Sequence, residues 1–179
     1  GMIDYTGRYT ELASFLCSHG FIFAGNHHLG HGKSVSTPDD FGFFAEQDGY
    51  KYVIEDVHTM NKHLHKSYPG LPLILFGHSM GSLAVRCFVK RHDDLIDSLI
   101  VCGSPSANPA AGAGKALTRI IAAISGERHR PKLINSIAFE GFNKRFSSEG
   151  PNAWLSADKD NVREYNQDPH CGYVFTANG

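Results

Sequence analysis

One serine of the sequence stands where it could act as a nucleophile. Gly77-His78-Ser79-Met80-Gly81 matches the pattern G-x-S-x-G, between an apolar run and an amphipathic run in LPLILFGHSMGSLAVR. In a nucleophile elbow of this kind, small neighbours let strand and helix approach closely around a strained, exposed serine. The helix start directs free N–H groups above the serine, so the N–H of Met80 can stabilise the oxyanion of an acyl-transfer intermediate. The pattern therefore predicts nucleophilic catalysis by Ser79.

Alternating segments predict the elements that hold this turn. Continuous apolar runs indicate buried strands at residues 21–26, 71–76 and 97–104. Between them, apolar residues recur at helical spacing: Tyr9, Leu12, Ala13 and Leu16; Val53, Val57, Met60 and Leu64; Leu83, Ala84, Cys87 and Phe88. Such alternation indicates an α/β fold whose parallel sheet is covered by helices on both faces.

The pattern changes after residue 104. The loop PSANPAAGAG is followed by one helical stripe and then by mixed, aromatic sequence with few strand signals. The stripe consists of Leu117, Ile120, Ile121 and Ile124. We expect a core with the serine turn at residues 1–104 and an insertion over the sheet edge at residues 105–179.

Composition excludes several classes of protein. A formal net charge of −1 and a pI near 6.9 give no basic surface for nucleic acid or for an anionic membrane. The chain has neither a signal-peptide pattern nor a run of about eighteen apolar residues, so we expect a cytoplasmic protein without an integral membrane segment. The four cysteines are widely spaced, which favours reduced packing residues over disulfides or a zinc site.

Several segments together resemble a known family. GHSMGS, GNHHLGHGKS, GRYTELASFL and WLSADKDNVREYNQDPHCGYVF are similar to α/β-hydrolases of the monoacylglycerol lipase and lysophospholipase type, the serine aminopeptidase S33 group. The resemblance covers essentially the whole chain. It implies a partial α/β-hydrolase fold with a parallel sheet core and a mainly helical cap insertion. It also implies hydrolysis of a small acyl ester by a Ser-Asp-His triad, with Ser79 as nucleophile and no metal or other cofactor.

The resemblance assigns a second oxyanion donor at the start of the chain. Family members carry the run H-G-x-x-E-H-x-x-R-Y, and the residue after its glycine supplies the donor N–H. Alignment on Arg8 and Tyr9 places Met2 at that position. Asp4 and Tyr5 stand where glutamate and histidine are usual.

Family caps form a tunnel for the acyl chain, and the aromatic content of residues 105–179 fits that role. The expected apolar lining consists of Phe139, Phe142, Phe146 and Trp154. We therefore expect acyl esters to be preferred over peptides, although a peptidase would share the same serine turn.

The acid and base of the triad are expected beyond this chain. Along this fold the order is Ser, Asp, His, and both partners follow the cap in the family. Asp168 and His170 have the right order, but they belong to the cap segment, which disfavours them as a catalytic dyad. His78 is expected to be a packing residue. The cluster from His27 to His31 has no carboxylate or cysteine at metal-ligand spacing, which favours a solvated loop over a metal site.

Two hypotheses about function stay open. In the first, the chain is part of an ester hydrolase whose triad is completed by sequence beyond this chain. In the second, it is a non-catalytic or truncated hydrolase remnant that acts as a self-associating module. Three recognisable strands would leave two unpaired sheet edges, so we predict a homo-oligomer that pairs through these edges.

Overall fold

The computed structural model describes the backbone of all 179 residues and every side chain except those of residues 137–140. Most of its regular structure is helical. The helices are α1 (Thr10–Ser18), α2 (Gly49–Ser67), α3 (Met80–His92), α4 (Ala111–Ser125), α5 (Lys132–Asn143) and α6 (Lys159–Gln167). The first four contain the apolar stripes that the sequence predicts to be helical, except Tyr9, which ends the short turn before α1. No helix in the described part of the chain has the length and apolar character needed to cross a membrane.

Two parallel strands form a small sheet. They are β1 (Ile74–His78) and β2 (Ser98–Cys102), with Leu75 opposite Leu99. The helix α3 connects them, as parallel strands require a crossover. β2 lies within its predicted segment. β1 starts later than predicted, since its ladder with β2 begins at Ile74. It also ends later, because the ladder continues to His78, the residue before Ser79.

The core lies between α2, α3 and one face of the sheet. Val53 and Val57 of α2 form a buried cluster with Ala84 and Phe88 of α3, and Phe88 is fully buried. Leu75 of β1 packs against this cluster. Burial of these apolar side chains holds α3, and the turn that precedes it, against the sheet.

Two expectations about the sheet are wrong. Residues 21–26 form no strand, and Phe21 and Ile22 are half exposed. A strand needs a partner for its N–H and C=O groups, and in the described ladder β1 pairs with β2 alone. Helices also fail to cover both faces of the sheet. Because α2 and α3 pack on the same face, Ile74 and Phe76 on the other face remain exposed.

The segment from residue 105 to residue 179 is mainly helical, and its described residues contain no strand. It is tied to the loop before α2. The N–H and the hydroxyl of Thr176 donate to the carbonyl of Gly42 at 3.1 and 3.0 Å. Arg128 forms an ion pair with Asp40 at 2.9 Å. Leu117, Ile120 and Ile124 of the α4 stripe are exposed, Ile124 by 80%. Packing of this segment over the sheet edge stays a prediction.

Candidate active site

Ser79 occupies a sharp turn between β1 and α3. Its backbone has φ 52° and ψ −120°, a combination that residues with a side chain rarely adopt. Its N–H donates to the carbonyl of Cys102 at 2.9 Å, so the ladder between the strands reaches the turn itself. The N–H and the hydroxyl of Ser82 both donate to the carbonyl of Ser79. These bonds hold the strained residue in place from both sides.

Glycine at position 77 allows the strand and the helix to approach each other. A Cβ added to Gly77 would overlap Cγ2 of Val85 and lie 2.8 Å from the carbonyl oxygen of Gly81. A Cβ added to Gly81 would meet only Nε2 of His28, at 4.0 Å. The close approach of strand and helix therefore requires glycine at position 77, whereas position 81 has room for a Cβ.

Asp168 and His170 form a pair, but this pair is joined to Tyr5. The Nδ1 of His170 lies 3.1 Å from Oδ1 of Asp168, and the hydroxyl of Tyr5 donates to Oδ2 at 2.8 Å. The ring of His170 packs against those of Tyr5 and Phe41. Among the described residues no hydrogen bond connects His170 to Ser79. The pair therefore serves to join the C-terminal segment to the start of the chain.

The first residues of the chain lie beside the serine turn. A Cβ built on Gly1 would be 3.4 Å from Nδ1 of His78, the residue before Ser79. Ile3 is buried and has φ 49°, so the chain bends sharply there. Met2 lies between Gly1 and Ile3 in the chain. Its role as an N–H donor stays a prediction, as does that of Met80, which begins α3 after the turn.

His78 lies in a packed, polar contact. Its Nδ1 is 3.0 Å from the hydroxyl of Tyr9, and the two rings meet edge to face. Burial lowers the pKa of His78, so its imidazole is neutral at pH 7. This environment agrees with the expected packing role.

The expectation of a solvated loop from His27 to His31 is wrong for His31. His31 is 1% exposed, and its Nδ1–H donates to the carbonyl of Leu29 at 2.7 Å. Phe44 and Phe175 enclose its ring. Burial lowers the pKa of His31, and that of the half-buried His28, to about 4. The enclosing Phe175 comes from the far end of the chain, which no local pattern reveals.

Two of the aromatic residues expected to line a tunnel, Phe142 and Phe146, are exposed on the C-terminal segment. Phe142 and Trp154 stack with ring centroids 4.8 Å apart. Phe142 is 55% exposed and Phe146 is 38% exposed. The side chain of Phe139 lies outside the described residues. Contact of these residues with an acyl chain stays a prediction.

Tyr165 makes a contact that the sequence does not predict. Its hydroxyl donates to the carbonyl of Ile3 at 3.1 Å. The two residues lie at opposite ends of the chain, so no periodicity or local motif joins them. The resemblance included NVREYNQDP as a segment, but it did not single out this tyrosine.

A family model and several known proteins are similar to this chain in sequence. A family model described as "Serine aminopeptidase, S33" matches residues 1–179. The monoglyceride lipase homolog of Monkeypox virus is 30% identical over 172 residues, covering 94% of this chain and 53% of that protein. The monoglyceride lipase of Homo sapiens is 29% identical over 175 residues, covering 94% of this chain and 49% of that protein.

A solved structure extends the similarity to three dimensions. A highly thermostable carboxyl esterase from Bacillus coagulans, in complex with glycerol, aligns with a TM-score of 0.88 and 26% identity. The alignment covers 99% of this chain and 58% of that one. The chain therefore spans about half the length of the relatives it matches.

Proposed function

Because this chain belongs to the serine aminopeptidase S33 family, we propose that it supplies the nucleophile and the oxyanion donors of a carboxylic ester hydrolase. Its strands and helices are part of an α/β-hydrolase fold. The similar proteins are named as lipases and an esterase, which supports ester hydrolysis as the reaction.

The observation that carries the proposal is the conformation of Ser79. Its positive φ, between the end of β1 and the start of α3, is the geometry that raises a serine hydroxyl above a sheet. In the proposed reaction Oγ attacks the ester carbonyl while its proton passes to a histidine. The carbonyl oxygen becomes negative and accepts hydrogen bonds from the N–H groups of Met80 and Met2. The histidine and its aspartate partner are proposed to lie in sequence beyond residue 179.

We propose a monoacylglycerol or a similar lysolipid as the substrate class. The names of the monoglyceride lipases support this choice, and the exposed stack of Phe142 on Trp154 supplies apolar surface for an acyl chain. Residues 105–179, with Phe139 and Phe146, would form the cap over the site, and residues 1–104 the core. Peptides are the competing substrates to be tested.

A second candidate function is a non-catalytic module that self-associates. It is favoured by β2, whose five residues are all exposed at the edge of the sheet. A homo-oligomer formed through this edge is compatible with both functions. A cytoplasmic location is also part of the proposal, and it is supported by free thiols at Cys17, Cys87, Cys102 and Cys171.

Labelling with a fluorophosphonate distinguishes the two functions. The probe forms a bond from phosphorus to Oγ of Ser79 and releases fluoride, and the backbone donors stabilise the negative phosphoryl oxygen. Slow labelling is expected even without the triad, since residual catalysis in dismantled triads arises from such donors. Ser79→Ala should abolish it. Labelling that persists in this variant, or none in the unchanged chain, would contradict the proposal.

Substrate class is tested on the same protein. Any turnover of a short- or medium-chain monoacylglycerol should exceed that of a peptide anilide, and Ser79→Ala should remove whatever activity is found on either substrate. A peptidase rate more than about tenfold above the esterase rate would reverse the assignment of substrate.

A further inference from the structure

The backbone beside the serine turn is held by the C-terminal segment. The carbonyl of Ile3 accepts two hydrogen bonds, from the hydroxyl of Tyr165 at 3.1 Å and from the N–H of Gly172 at 3.2 Å. Ile3 is 9% exposed and has φ 49°, a left-handed conformation that is costly for a β-branched residue. Two donors on one carbonyl can maintain such a conformation.

The ring of Tyr165 is itself fixed. It is 5% exposed, and the guanidinium of Arg8 lies over it at 4.8 Å from the ring centroid. Arg8 is held in turn by Asp4, at 3.5 Å, and by Asn161, at 2.9 Å. Burial raises the pKa of Tyr165 to about 12, so the hydroxyl is a donor throughout the neutral range.

We propose that Tyr165 is a positioning residue for the Met2 N–H, so that the C-terminal segment completes the oxyanion site beside Ser79. This inference rests on the proposed function. Only the backbone torsions of Met2 and Ile3 separate the Met2 N–H from the clamped Ile3 carbonyl. On its other side, the amine of Gly1 pairs with Asp4 at 3.8 Å, and a Cβ built on Gly1 would lie 3.4 Å from Nδ1 of His78. The N–H is therefore restrained at both ends, one of them by residues of α6 and the loop after it.

The arrangement couples two parts of the chain that are distant in sequence. Movement of residues 165–172 away from the core would remove both donors from Ile3 at once. Relaxation of Ile3 to negative φ would then rotate the neighbouring Met2 N–H. Acylation of Ser79 would thus require the C-terminal segment to be docked.

The test compares Tyr165→Phe with Tyr173→Phe. Tyr173 is a suitable control because its buried hydroxyl has no hydrogen-bond partner among the described residues. Fluorophosphonate labelling of Ser79 should slow about tenfold or more in Tyr165→Phe, as expected when an oxyanion donor is misdirected. Labelling in Tyr173→Phe should match that of the unchanged chain. Circular dichroism checks that both variants are folded.

A second reaction separates positioning from a general structural effect. In a Ser79→Cys background, iodoacetamide alkylates the thiol at position 79 by displacing iodide from carbon, a reaction that forms no oxyanion. Site-resolved mass spectrometry should give the same alkylation rate with and without Tyr165→Phe. If Tyr165→Phe slows both reactions, its role is structural and the inference is wrong.

The remaining outcomes distinguish this inference from the proposed function. Equal phosphonylation rates in the unchanged chain and in Tyr165→Phe would overturn the positioning role and leave Ser79 as nucleophile. Failure of Ser79 to label in the unchanged chain would overturn the proposed function, and the inference with it.

Discussion

The hydroxyl of Tyr9 lies 3.0 Å from Nδ1 of His78, which joins the turn before α1 to the last residue of β1. Burial raises the pKa of Tyr9 to about 12, so its hydroxyl keeps its proton, and we expect it to donate to the ring nitrogen. The neutral imidazole then carries its own proton on Nε2. This bond connects the first turns of the chain to the residue next to Ser79.

Tyr9→Phe should leave Nδ1 of His78 without its donor. We expect the free energy of unfolding to fall by about 1 kcal/mol, as is typical when one partner of a partly buried hydrogen bond is removed. Urea denaturation measures the loss, and nitrogen chemical shifts at pH 7 report the tautomer of His78. An unchanged free energy together with an Nδ1–H tautomer in the original chain would contradict this assignment.

Gly77→Ala should destabilise the protein, whereas Gly81→Ala should not. The added methyl group at position 77 overlaps Val85 and approaches the Gly81 carbonyl, and the space at position 81 is open. Overpacking of this kind costs about 1–3 kcal/mol. Urea denaturation of the two variants side by side is a matched comparison. Equal midpoints would show that strand and helix can separate without cost.

The buried His31 should make the protein less stable in acid. Its pKa is about 4 when folded and about 6.5 when unfolded, so between these values the unfolded chain binds the extra proton. The contribution is therefore complete above pH 6.5 and is lost as the pH falls toward 4. From pH 7 to pH 5 this group alone should cost on the order of 2 kcal/mol.

His31→Asn should reduce this pH dependence, because an amide does not titrate there. His63→Asn is the control, since His63 is exposed on α2. Urea denaturation at pH 7 and pH 5 gives the difference for each variant. If the three proteins lose stability in parallel, the acid sensitivity has another origin.

The exposed edge of β2 should pair with a second copy of the chain. Leu99, Ile100 and Val101 are all exposed there, and unpaired edge strands readily associate. Light scattering at micromolar concentration should give at least a dimer, and Val101→Lys should shift it toward the monomer. Ile124→Lys, on the exposed face of α4, should not. A monomer in the unchanged chain would refute the prediction.

Much of the fold follows from the sequence, and its limits have physical reasons. The apolar periodicity of α2 and α3 predicts which of their residues are buried, because this periodicity lies within each helix and is visible in its own sequence. The strand predicted at residues 21–26 fails because pairing depends on a neighbour and not on the segment alone. The position of Ser79 is predictable from five consecutive residues. The contact of Tyr165 with Ile3 is not, because it depends on how the two ends of the chain meet.

The hydrogen bond from the Ser79 N–H to the carbonyl of Cys102 also affects how the serine turn responds to heating. Its acceptor lies at the end of an edge strand whose five residues are all exposed, and such edges open locally at lower free energy than the core. Fraying of β2 therefore releases Ser79 while Phe88 is still buried between α2 and α3. Reactivity at Ser79 should accordingly disappear on heating before the helical signal does, so the inactivation temperature lies below the melting temperature.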